Sequence, residues 1–154
     1  MRGKQSPKRD IDPDPKYNST IIAKFINAIM ERGKKTVAQK IVYDCFHIIQ
    51  KKTNQNPLDM FDLAVRNVTP MVEVRSRRIG GSNYQVPVEV KGTRRTALTF
   101  RWIIGAAASR KGKPMREKLA EEIIAASKNE GDAVKKKQDV QRMAEANRAF
   151  AHFA

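Results

Sequence analysis

The chain has 154 residues, with 31 Lys and Arg against 16 Asp and Glu and a formal net charge of +15. A single domain fits that length, and a balance so far to the basic side makes a polyanion the expected partner. Cys45 is the only cysteine, which excludes an internal disulfide and a cysteine-based zinc cluster and suits a reducing compartment.

Residues 1–17 carry Pro7, Pro13 and Pro15 among charges, with few apolar side chains. They are expected to form a flexible basic arm that orders on binding, with Arg2, Lys4, Lys8 and Arg9 ahead of any acid. Residues 18–154 are expected to be one helical domain. Asn18, Ser19 or Thr20 can cap a first helix that sets Ile22, Phe25, Ile26 and Ile29 on one face and stops near Gly33. Thr36 and Gln39 have capping-box spacing for a second, with a stripe of Val37, Ile41, Cys45, Ile48 and Ile49. Asn56-Pro57 starts a third, with Leu58, Phe61, Val65 and Val68 inward, and Pro70 ends it by pushing Thr69 out of helical geometry.

The period then changes from about 3.6 to 2. Over residues 71–79, Val72 and Val74 alternate with Glu73, Arg75 and Arg77. Over residues 84–90, Tyr84, Val86, Val88 and Val90 alternate with Gln85, Pro87 and Glu89. Gly80, Gly81, Ser82 and Asn83 between them suit a tight turn, so a β-hairpin is expected at about 71–90. Pro87 lacks an N–H and calls for an open strand edge. Helices return over 93–109, with Leu98, Trp102, Ile103 and Ala106 inward and Arg94 and Arg101 on another stripe. A fifth carries Met115, Leu119 and Ile123 and closes near residues 129–131. Asp132 can cap a sixth, with Val140, Met143, Ala144 and Phe150 along one side. The fold class is mainly α: a six-helix body with one projecting β-hairpin arm. Aromatics are only 6% of the chain, so the core is expected to rest on Ile, Val, Leu, Met and Ala.

Charge is segregated along the chain. Residues 75–118 hold twelve Lys and Arg against two acids, whereas residues 36–73 hold four bases and four acids. A further run is Lys135, Lys136 and Lys137, followed by Arg142 and Arg148. Such segregation marks a binding surface. Arg75, Arg77 and Arg78 near the hairpin tip can bridge phosphates or stack on bases, Arg75 and Arg77 on one face and Arg78 on the other. Tyr84 can stack on a base or pack against the valines. Lys91, Arg94, Arg95 and Arg101, with Arg110, Lys111, Lys113 and Arg116 beyond them, suit phosphate contacts that orient a folded RNA.

Enzyme chemistry lacks its parts. His47 and His152 are the only histidines, and neither has a partner that would make it a base. Cys45 falls on an apolar stripe and reads as core. Gly80-Gly81 and Gly112-Lys113-Pro114 are too short for a phosphate-binding loop. No apolar run reaches the ~20 residues of a membrane span, and no secretory signal is visible. Neither cofactor, metal nor small-molecule substrate is expected. Composition leaves two readings open: an RNA-binding protein, or an architectural DNA-binding protein gripping the minor groove with a basic β-ribbon arm. The second needs a dimer interface, and no strong seam is evident.

Several stretches decide between them by resemblance. VEVRSRRIGGSNYQVPVEV, residues 72–90, closely resembles the hairpin of the small-subunit ribosomal protein seven family. The run from Met143 through Asn147, Arg148 and Phe150 to Phe153 resembles that family's closing helix. Asp14-Pro15-Lys16-Tyr17, Gly33-Lys34-Lys35, Asn56-Pro57-Leu58 and the stretch from Gly131 to Lys137 follow in the expected order. The resemblance implies a helical body with a hairpin arm, of bacterial or plastid type, in the cytoplasm or an organellar stroma. It implies direct binding to the rRNA of the subunit head, early enough to nucleate head assembly, beside neighbouring small-subunit proteins. Arg75, Arg77, Arg78 and Gly80–Tyr84 would then meet exit-site tRNA and the mRNA path. The arm, Lys34, Lys35 and the bases from Lys91 to Arg116 would face rRNA.

Overall fold

The computed structural model describes residues 10–153. The expected contacts of Arg2, Lys4, Lys8 and Arg9 therefore lie outside the described residues. Within them run α1 (Thr20–Ile29), α2 (Lys35–Thr53), α3 (Pro57–Val68), β1 (Val72–Ile79), β2 (Ser82–Glu89), α4 (Gly92–Ser109), α5 (Met115–Ser127), α6 (Asp132–Ala146) and a 3-10 helix, Arg148–Phe153. The mainly α body with one hairpin is thus as expected.

Local chemistry accounts for most boundaries. Ser19 caps α1, its hydroxyl accepting from the Ile22 N–H. Asn56 caps α3 through the Leu58 N–H at 3.1 Å, and Pro57 occupies the first turn, where a missing N–H costs nothing. Thr69 is extended ahead of Pro70, as the proline demands. Three expectations fail. The box of Thr36 and Gln39 does not form, because α2 begins at Lys35 and Thr36 already lies inside its first turn. Asp132 is the first residue of α6 rather than its cap; Gly131 holds that position. Ser82 and Asn83 belong to β2, opposite Ile79 and Arg78, because Gly80 and Gly81 (φ +55° and +91°) complete the turn alone.

The core rests mostly on Ile, Val, Leu, Met and Ala, as expected, but its centre is aromatic: Phe25 lies 4.9 Å from Phe61 and 5.1 Å from Phe100, and Phe46 lies 5.6 Å from Phe61. These rings join α1, α2, α3 and α4 at one point, and each buried Phe contributes roughly 1.5–3 kcal/mol. A low aromatic fraction says nothing about placement, and here most of the phenylalanines went inside. Seating Phe46 turns α2 so that Ala38, Val42, Cys45 and Ile49 are buried, while Val37 is left 53% exposed and Ile41 and Ile48 stay half-buried. In α3, Met60 and Ala64 join Phe61 and Val68 inside, with Leu58 and Val65 at the edge. In α4, Phe100 and Ala107 are buried and Trp102 and Ala106 only half so. Met143 is 50% exposed, and Phe150 lies past the end of α6. Cys45 is core, as its stripe indicated, and burial pushes its thiol well above the ordinary range.

The hairpin leaves the body between α3 and α4. Its register places Glu73, Arg75 and Arg77 opposite Val88, Val86 and Tyr84 on one face, and Arg78 opposite Asn83 on the other. The first face is covered at two points by the chain's own end. Tyr84 packs 5.2 Å from Phe150 and 5.7 Å from Phe153, and the Arg77 guanidinium donates to the Phe153 carbonyl at 2.9 Å. Tyr84 thus has as neighbours the aromatics of the 3-10 helix, which neither option had named.

Candidate nucleic-acid interface

The bases singled out in the sequence form two clusters joined along α4. At its start stand Arg75, Arg94, Arg95 and Lys91; at its end stand Arg110, Lys113 and Arg116. From Arg94 to Arg110 is a run of about 16 residues, roughly 24 Å along the helix axis. Arg101 lies exposed between them, two turns from Arg94. Arg94 and Arg101 thus share one stripe of α4, and the second cluster stands beyond its C-terminal end.

What orients several of them is a set of acids to which the sequence alone assigned no role. Glu73 is only 6% exposed, and its carboxylate holds two guanidiniums: Arg75 on one oxygen, Arg94 on the other through Nε and Nη2 at 3.2 and 3.1 Å. Burial alone would push Glu73 up, but the hydrogen bonds and charges of Arg75 and Arg94 outweigh it and hold the carboxyl below its usual range. A carboxyl depressed in the fold stabilises it above the ordinary value and ceases to do so as pH falls through the depressed one. Unfolding measured against pH is therefore expected to show stability falling below about pH 4.5, the ordinary value. Glu73→Gln should flatten that fall; an unchanged profile would remove Glu73 from the account.

At the other end, Glu121 gathers Lys113 at 2.5 Å, Arg110 at 3.6 Å and Lys52 at 3.7 Å. The Lys113 hydrogen bond leads in holding its carboxyl below the usual range, burial opposes, and the charges of Lys113, Lys52 and Arg110 assist. Glu122 beside it has no exposed surface and binds Arg110 at 2.5 Å. Its other oxygen accepts from the Ala133 N–H at 2.9 Å, doing for α6 what Asp132 does not. Arg116 reaches Asp44 of α2 at 3.4 Å. Glu122 had a signal in the sequence, since it lies in phase with Leu119, Ile123 and Ala126 on the buried stripe of α5. Glu73 had none, because alternation alone does not say which face of a hairpin turns inward.

The remaining candidates divide. Arg95 is half-buried and donates to the Val90 carbonyl at 2.9 Å, which ties the end of the hairpin to α4. Lys91 makes only an exposed pair with Glu89. Lys137 donates to the Asn67 carbonyl at 2.7 Å near the C-terminus of α3, where a cation is favourable, and so leaves its tract for a structural task. Lys135, Lys136 and Arg148 are exposed, and Arg142 pairs with Asp139 one turn away. Lys34, Lys35, Arg78, Arg101 and Lys111 are exposed and form no ion pair among the described residues. Gly80 and Gly81 serve the turn itself. His47 is exposed on α2, no group of three potential metal ligands occurs among the described residues, and no described helix is long and apolar enough to cross a membrane.

Comparison with known proteins identifies the family. A model of the family described as Ribosomal protein S7p/S5e matches residues 1–148. The Small ribosomal subunit protein uS7 of Thermotoga maritima is 59% identical over 153 residues, covering 99% of both chains. The protein of the same name from Bradyrhizobium sp. is 56% identical over 152 residues, covering 99% of this chain and 97% of its own. That of Thermosipho africanus is 54% identical over 153 residues and 99% of each. An arginine-lined helix and hairpin, a family match over nearly all residues and such identities lead to one conclusion: this chain belongs to the ribosomal protein S7p/S5e family.

Proposed function

We propose that the chain is a structural constituent of the small ribosomal subunit. It binds the rRNA of the subunit head directly, nucleates assembly of that domain, and meets exit-site tRNA and the mRNA path through its hairpin. It works there as a binding protein among neighbouring small-subunit proteins, in the cytoplasm where its ribosome is. The observation that carries this reading is the pair of basic clusters at the two ends of α4, where the guanidiniums of Arg75, Arg94 and Arg110 are held by Glu73, Glu121 and Glu122 while remaining part-exposed. Arg75 and Arg94, about half exposed and each engaging only Glu73, suit phosphate oxygens of a folded RNA, where shape supplies most of the specificity. Arg78, Arg101, Lys111, Lys34 and Lys35 add exposed charge, and Arg2, Lys4, Lys8 and Arg9 add to the basic charge of the chain.

The test is competition binding. Labelled RNA of the small-subunit head is held by the full chain and challenged with unrelated structured RNA and with duplex DNA at two salt concentrations. Head RNA should stay bound against both, and log K should fall against log salt by roughly 0.7–0.9 per phosphate engaged. Displacement by duplex DNA as readily as by head RNA would sink the reading and favour the β-ribbon DNA binder.

A further inference from the structure

The acid at the base of the hairpin stands out because its charge has the wrong sign for the partner. Glu73 faces a polyanion's binding surface, yet it is buried and engages two of the bases that would do the binding. Its side chain is 8% exposed, whereas those of Arg75 and Arg94 are 52% and 46% exposed. Arg75 is two residues along the same strand face, and Arg94 comes from the first turns of α4. One carboxylate thus fixes guanidiniums from two elements side by side and leaves an edge of each toward solvent. Long side chains held in advance lose less entropy when they bind.

We propose that Glu73 is a positioning residue for RNA recognition, acting through Arg75 and Arg94 to present a preformed pair of guanidinium forks to backbone phosphates. This rests on the RNA-binding reading above. It makes a prediction opposite in sign to simple electrostatics. Glu73→Gln removes a negative charge from a surface that binds a polyanion, so charge alone would tighten binding. Loss of positioning weakens it instead, because two forks revert to many rotamers.

The experiment measures binding of labelled head RNA to the full chain, across a salt series, for wild type, Glu73→Gln, Glu89→Gln and Arg94→Lys. Circular dichroism establishes that each variant is folded at the temperature used. Glu73→Gln is expected to bind about five- to tenfold more weakly, with a salt slope shallower by about one phosphate. Glu89→Gln makes the same charge change at a carboxylate 61% exposed and paired only with Lys91; it should bind as well as wild type or up to a few-fold better. Arg94→Lys keeps the charge but loses the planar fork, and should weaken binding about fivefold. It also decides the matter if Glu73→Gln does not fold. Glu73→Gln binding as tightly as wild type, or tightening like Glu89→Gln, overturns the proposal while wild-type selectivity leaves the function intact. Undiminished binding by Arg94→Lys overturns it equally. If wild type itself cannot hold head RNA against unrelated RNA, the function reading falls first and the proposal with it.

Discussion

Glu122→Ala is expected to destabilise the fold by about 3 kcal/mol, with the melting temperature lowered on the order of 10 °C. The carboxylate has no exposed surface and serves two masters, the Arg110 guanidinium and the Ala133 N–H at the start of α6. Truncation leaves a cavity among Leu119, Ile123 and Ala126, an orphaned helix N–H, and a guanidinium with its chief partner gone. Arg110 is 30% exposed and keeps Glu121 at 3.6 Å, so water and that second acid hold the cost at the low end for a broken buried pair. Glu122→Gln keeps the shape and an oxygen for Ala133, and should cost less, about 1–2 kcal/mol. Urea unfolding of the two variants checks this. Equal losses would mean that packing matters and the hydrogen bonds do not.

Gly131→Ala should cost about 2–3 kcal/mol for a related reason. Gly131 has φ +94° and ψ 171°, a region closed to side chains. A Cβ there would sit 2.9 Å from the Glu122 Oε1 and 3.1 Å from the Ala125 Cβ. Glycine lets the chain reverse between α5 and α6 close enough for Glu122 to reach the next helix. The substitution therefore strains the backbone and pushes away the carboxylate that caps α6. In the double variant with Glu122→Ala the closest clash is gone, so the combined loss should fall short of the sum of the two. A strictly additive double variant would show that strain alone sets the cost of Gly131→Ala.

Both predictions lie where sequence reading stopped. The elements themselves were legible, because several boundaries rest on local chemistry: Ser19 at α1, Asn56-Pro57 at α3, Pro70 after it, Gly80-Gly81 in the turn. The Arg and Lys of the two clusters were legible as residue types, since twelve bases against two acids stand out over residues 75–118. Helix phase was less secure. A stripe of Val37 and Ile41 and a stripe of Ala38, Val42 and Phe46 lie within one turn of each other, and only the aromatic cluster with Phe25, Phe61 and Phe100 chooses between them.

By itself, then, the sequence determined the mainly helical class, the hairpin and the basic character of the surface, because periodicity, caps and charge are properties of neighbouring residues. Tertiary structure alone decided which bases are spoken for. Lys137 is turned to the end of α3 and Arg77 to the Phe153 carbonyl, partners about 70 and 76 residues away. Glu73 and Glu122 became the organisers of the two clusters by being buried beside arginines that the chain brings from elsewhere. Coulombic and hydrogen-bond energies depend on distance and burial in space, and neither is written in the spacing of residues along the chain.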